Sequence, residues 1–393
     1  MYSVRPALQP YAWGTSDDIP GLLGIPATGG PVAEAWWGDH PVAPARCVVD
    51  GAEVGLDRVI AADPDAALGP EVAREFGGRL PFLLKILAIG SPLSIQVHPS
   101  ARAAAAGFAR EQAAGVPLDA PTRTYRDRSH KPEMLVALTP VVVLSGFRAP
   151  SETRRDVERL DHSGAAGLAA LLATGGAVDE AIASYVKRCL DGADAEGLIA
   201  AVVRAAREPG SSANMRAAAS AADHFPTDGG VLVALAMNCV DLAPGEASFT
   251  PGERVHSYQS GVAVEVMANS DNVVRGGLSV KHVDVREFLA IASTVPCAAA
   301  KLDAERVGGA ATFRPGVREF ELSRLSDASA SFAPGPRIVL AVEGEARVAT
   351  PAGGERLLAR GEAVFVPFSD GATEVAASGL TFVAGCPEPA SRA

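Results

Sequence analysis

The sequence has no apolar run of 18 or more residues, the length a helix needs to cross a bilayer. It also shows no basic-plus-hydrophobic leader, so the chain reads as soluble, unexported and cytoplasmic, with no membrane partner. Cysteine is sparse: five residues stand at 47, 189, 239, 297 and 386, with no CxxC pair. That scatter fits a reducing compartment, and the odd count argues against a disulfide framework. An excess of positive charge is missing as well. The formal net charge is -11, which argues against nucleic acid as a partner, because phosphate backbones are gripped by cationic surfaces. An acidic chain can still hold a local basic pocket for a small anion, so a phosphorylated metabolite is not excluded. Oligomeric state cannot be read from these features. What the chain does have is bulk: 393 residues, 48% of them hydrophobic, bury a large core and fill two or three domains.

The most informative stretch is Ser94-Ile95-Gln96-Val97-His98-Pro99, in which polar and apolar residues alternate. In a strand, Ser94, Gln96 and His98 share one face while Ile95 and Val97 pack on the other. Just upstream, 81–89 is a nearly continuous apolar run with one embedded lysine, Lys85. A polar row emerging from so apolar a setting needs partners, because unpaired buried polar groups are costly. A metal ion is the candidate partner.

Residues 1–80 are rich in Pro and Gly and contain Tyr11 and all three tryptophans, Trp13, Trp36 and Trp37, read as anchors of an N-terminal sheet layer. One short helix is expected at 70–79. From 81 to 147 the pattern is strand-like, apart from an alanine-rich helix at 101–112. The run 141–144 reads as a buried strand, and the character changes at Pro150. Helix formers then dominate, with helices expected at 152–160, 167–172, 178–190 and 194–206. A Ser/Ala-rich linker is expected near 211–222. Strand patterns resume at 230–239 and continue in short segments with Pro-Gly turns, which favours barrels or sandwiches. An internal repeat supports a duplicated β-barrel module. The segments 242–251 (LAPGEASFTP) and 358–367 (LARGEAVFVP) are identical at seven of ten positions, at an offset of 116 residues. His256 follows the first copy, and Ala372 occupies the equivalent place after the second. One copy is equipped for chemistry and the other reads as structural.

Four residues could supply metal ligands: Gln96, His98, Glu133 in the segment SHKPEM, and His256 in PGERVH. Two imidazoles, a carboxylate and an amide oxygen suit a divalent ion of borderline hardness, zinc first. His40, His162, His224 and His282 lack such company and read as structural.

The motifs QVHP at 96–99, HKPE at 130–133 and NSDNVVRGGL at 269–278, with PYAWG at 10–14 and AEAWWGDHP at 33–41, occur in the order found in the zinc-dependent type I mannose-6-phosphate isomerases. The chain resembles that family over most of residues 1–290. The resemblance implies that Gln96, His98, Glu133 and His256 bind one zinc per chain. It implies a mainly β fold of two cupin-like β-barrel (jelly-roll) domains with an inserted α-helical domain. The expected division is 1–150 plus 223–318 for the catalytic barrel, 151–222 for the helical insertion, and 319–393 for a metal-free C-terminal barrel.

The implied reaction interconverts mannose 6-phosphate and fructose 6-phosphate by proton transfer between C1 and C2 through an enediolate. Glu265, a carboxylate in the strand pattern VAVEVM, is a candidate base because burial raises its proton affinity. Asp271 and His130 are the other contenders. Arg275 can grip phosphate or stabilise the developing oxyanion, and the second role is favoured. Lys131 also falls in the catalytic group, with Ser94, Lys85 and Lys281 assigned to substrate binding. Two rival functions are a bicupin metalloenzyme acting on a different phosphorylated sugar and a non-catalytic carbohydrate-binding protein. An intact first site and an eroded second one favour the isomerase.

Overall fold

A computed structural model describes residues 1–27, 29–49, 51–173, 177–192, 194–298 and 301–388. The site is built on an eleven-stranded sheet whose central member is the 13-residue strand His256–Ala268. Its second half pairs with Phe82–Ile89 on one side and Glu133–Ala137 on the other. Its first half pairs instead with Gln96–Val97 and Val141–Phe147. The change of partners falls at Gly261, which has φ 106°, and a Cβ there would lie 2.4 Å from the Pro140 carbonyl oxygen. Only glycine fits that bend.

Alternation sorts the side chains. Phe82, Leu84, Ile86 and Ala88 share one apolar core with Trp37, Val264 and Val266. Leu83, Lys85 and Leu87 face the other way, because successive residues of a strand point to opposite sides. Ile95 and Val97 pack into a second core made mainly by the helices Pro150–Val157, Ala165–Leu171, Val178–Leu190, Ala195–Ala206, Ala213–Ala222 and Gly230–Leu235. The helical layer therefore backs the strand whose other face carries Ser94 and Gln96.

A second, nine-stranded sheet interleaves the two ends of the chain. Tyr2–Arg5 lies between Ala363–Val366 and Arg46–Val49, so N-terminal strands extend a sheet of C-terminal ones. A third sheet has four strands drawn from 329–378.

The expectation of two cupin-like barrels is not met. Among the described residues no sheet closes on itself: the nine-stranded sheet runs from Glu305–Val307 to Ala52–Gly55, and the main path of the eleven-stranded one from Lys301–Leu302 to Ala7–Gln9. The fold is mixed α/β with several open sheets. Alternation in a sequence sets which face a side chain takes, whereas closure depends on tilt and stagger between first and last strands, which no local pattern encodes.

Two further local readings change. Residues 230–235 form a helix, not the start of a strand, and 213–222 form another where a linker was expected. A short unbroken apolar run does not distinguish a buried strand from a buried helix. The second helix is capped by Ser212, whose hydroxyl accepts from the Met215 N–H. Among the described residues, no helix is long and apolar enough to cross a membrane.

The repeat is visible as a shared turn. Gly245 and Gly361 have φ 87° and 84°. In each copy the glutamate that follows accepts from a main-chain N–H three residues back, Ala243 for Glu246 and Ala359 for Glu362. A four-residue strand follows in both, Ala247–Thr250 and Ala363–Val366.

Candidate metal centre

His98, Glu133 and His256 come together from three separate segments, all buried, with their ligand atoms within 4.8 Å of one another. Glu133 faces both imidazoles: Oε1 is 3.1 Å from His98 Nε2, and Oε2 is 3.2 Å from His256 Nε2. The far side of each ring is held by a carbonyl. His98 Nδ1 lies 2.7 Å from the Asn272 oxygen and His256 Nδ1 lies 3.2 Å from the Arg254 oxygen. A carbonyl only accepts, so each Nδ1 carries the hydrogen, and in the neutral ring Nε2 then offers its lone pair on the carboxylate side. His98 Nε2 is buried and has no hydrogen-bond partner among the described residues.

Burial also pulls the His98 imidazole down to about 4, with the Glu133 charge opposing, so the ring is neutral near pH 7. Burial alone would push Glu133 up, but its neighbours, the Lys131 ammonium foremost, hold it well below the usual carboxylate range. Lone pairs and a carboxylate converging in a dry space need a cation between them, and this donor set fits a divalent metal.

Gln96 sits directly across from His256 on one side and from Arg275 on the other. Its side-chain amide donates to Ser94 Oγ at 3.1 Å. The turn that follows Arg275 needs its glycine. Gly277 has φ 110°, and a Cβ there would meet the Cα of Gly230 at 2.6 Å.

A cavity of about 450 Å³ has walls that include Gln96, Lys85, Lys131, Arg275, Lys281 and Tyr11. Lys131 bridges cavity and triad, with its Nζ 2.8 Å from Glu133 Oε1. Burial lowers Arg275, as does its neighbour Arg126. Burial likewise lowers Lys281, helped by Arg275 and Arg126, and Lys281 also lies 5.7 Å from the Tyr11 ring centroid. Cations that repel one another on one wall, with no carboxylate in contact among the described residues, make an anion site.

Lys85 lies in a further cluster, 3.3 Å from Glu34 and 3.1 Å from Glu265. Burial raises Glu265 to about 6. Asp271 lines the cavity 3.3 Å from His40 Nε2; burial raises its proton affinity, but the His40 contact, Lys131 and Arg126 together bring it below the ordinary value. His130 is placed elsewhere: its Nε2 meets Glu319 Oε1 at 2.6 Å, and it lines a neighbouring cleft.

Sequence reasoning missed Glu34, Trp36, His40 and Asn272. The first three lie within the segment 33–41, where the alternation of Glu34 and Trp36 was a usable signal. His40 was read as structural, yet it is buried against Trp36, with ring centroids 4.9 Å apart, beside the cavity.

Fold and site together define a metalloenzyme with, among the described residues, one centre of two histidines and a carboxylate, joined through Lys131 to a pocket for a small anionic substrate. Residues 1–150 match the family profile described as "Phosphomannose isomerase type I, catalytic domain". The chain is 38% identical over 306 residues to mannose-6-phosphate isomerase of Salmonella typhimurium, covering 77% of each protein. It is 32% identical over 323 residues to the Homo sapiens enzyme of the same name, covering 75% of this chain and 74% of that one. A crystal structure of zinc-bound mannose 6-phosphate isomerase superposes with TM-score 0.88 at 32% identity, covering 98% of this chain and 99% of the other. The chain belongs to the type I phosphomannose isomerase family.

Proposed function

We propose that the protein interconverts mannose 6-phosphate and fructose 6-phosphate, with one zinc ion held by Gln96, His98, Glu133 and His256. The observation that carries this reading is the pair of Nε2 lone pairs facing one buried carboxylate, next to a cavity with unneutralised cations. When bound, zinc supplies Lewis acidity toward an oxygen at the reacting end of the sugar.

The chain's own residues do the rest. Glu265, buried and raised to about 6, takes the proton from one carbon and returns it to the next. Arg275, opposite Gln96 in the strand pairing, stabilises negative charge as it develops on the enediolate. Lys85 and Lys131 donate to the sugar oxygens nearest the metal. Ser94 and Lys281 hold the phosphate, while Asp271, kept ionised by His40, accepts from a sugar hydroxyl. His130 is engaged by Glu319 and takes no part.

The helices of 151–222 share one apolar core, which supports reading them as an inserted unit. All five cysteines are unpaired, which supports a reducing, cytoplasmic location. The test is metal content of the purified protein with turnover of mannose 6-phosphate, using unphosphorylated mannose as control. Stoichiometric zinc and a strong preference for the phosphorylated sugar are expected. Equal turnover of both sugars, or activity without metal, overturns the reading.

A further inference from the structure

Lys85 is flanked by two carboxylates, not one. Glu34 and Glu265 place oxygens 3.3 and 3.1 Å from its Nζ. Strand register explains this: Trp36, Lys85 and Glu265 stand directly opposite one another across three adjacent strands. Glu34, two residues before Trp36, shares their face. Glu34 is also restrained, because the Trp36 indole N–H donates to the same Oε2 that faces Lys85. The ammonium lies 5.1 Å from the Trp36 ring centroid. All four side chains are buried, so water does little to screen these charges.

One ammonium cannot fully neutralise two carboxylates in a buried cluster. Glu34 has the indole as a second donor, whereas Lys85 is the only polar partner of Glu265 among the described residues. We infer that Glu34 is a positioning residue of this site: it shares the Lys85 ammonium, prevents Glu265 from closing a one-to-one ion pair, and so keeps Glu265 basic enough to take the substrate proton. The inference rests on Glu265 being the base.

The charged groups around Glu265 agree. Burial raises it most, Lys85 and Lys131 oppose, and the negative charges of Glu133 and Glu34 add to the rise. Tyr258, on the same strand, feels the Glu265 charge in turn. Removing the Glu34 charge leaves Lys85 to Glu265 alone, which favours the ionised carboxylate and weakens it as a base.

The test compares Glu34→Gln and Glu265→Gln in kcat and KM on mannose 6-phosphate across pH, with zinc content checked at each pH. The glutamine at 34 keeps an acceptor for the indole. Glu34→Gln is expected to keep its zinc and KM, lose about tenfold in kcat, and shift the acid limb of kcat down by about one pH unit. Trp36→Phe removes the indole donor, gives Glu34 wholly to Lys85, and moves the same limb upward. An unmoved limb in both variants, with Glu265→Gln impaired, overturns the role of Glu34. Ordinary kcat in Glu265→Gln overturns the base assignment itself, whatever the other variants do.

Discussion

His98 donates from Nδ1 to the main-chain oxygen of Asn272 at 2.7 Å, so the segment that carries Arg275 also sets the tautomer of a metal ligand. Asn272 is fully buried, and its side chain ties this segment to the loop before Glu133. Its Oδ1 accepts from the Arg126 and Asp127 N–H groups, and its Nδ2 donates to the Asp127 and Ser129 carbonyls. Asn272→Ala strands those groups in a dry space and is expected to cost about 3 kcal/mol of stability, with weakened metal retention. Chemical denaturation and metal analysis of the variant check this. Unchanged midpoint and zinc content would refute it.

His256→Ala removes one of the two imidazoles facing Glu133. Most of the metal and nearly all isomerase activity are expected to go with it, because only His98 and Glu133 of the converging triad remain. Elemental analysis beside the activity assay decides the matter, and stoichiometric zinc with ordinary turnover would dismantle the ligand set.

Arg275 separates two roles kinetically. A guanidinium that only grips phosphate acts equally in ground and transition states, so its loss raises KM. One that meets the growing oxyanion acts on kcat. Its place opposite Gln96 favours the second role, and Arg275→Ala is expected to lower kcat by about 10²–10³. Steady-state kinetics with zinc content measured in parallel tests this. A large rise in KM at constant kcat would assign Arg275 to the phosphate.

The His130–Glu319 contact predicts a pH signature in stability. The hydrogen bond to Glu319 raises His130, and the same contact lowers Glu319 despite its burial. The His130 contribution is present below its unfolded value of about 6.5 and fades as pH rises through the folded value. The Glu319 contribution is present above about 4.3 and fades as pH falls. The two overlap between about pH 4.5 and 6.5, so Glu319→Gln is expected to destabilise most there, by about 1 kcal/mol given partial exposure. Denaturation curves at pH 5.5 and 8.5 measure the difference, and an equal loss at both would contradict it.

Much of the site was legible because its code is local. The alternation of Gln96 and His98 placed them on one face, and Ile95 and Val97 on the other, where they meet the helical core. The helix at 178–190 could be read to the residue, and the repeated glycine turns at Gly245 and Gly361 could be read from spacing. Whether 230–235 was strand or helix could not be read, since an unbroken apolar run satisfies both.

By itself, the sequence determined the ligand types, the faces of the strands and the segments that bend, all set by backbone period and side-chain chemistry within a few residues. Only the tertiary structure decided which of those faces meet. It put Glu34 beside Lys85, His40 beside Asp271 and His130 against Glu319. It also left each sheet open and wove Tyr2–Arg5 among C-terminal strands. Those outcomes depend on strand register across hundreds of residues of chain, where a shift of one residue turns every side chain to the opposite face.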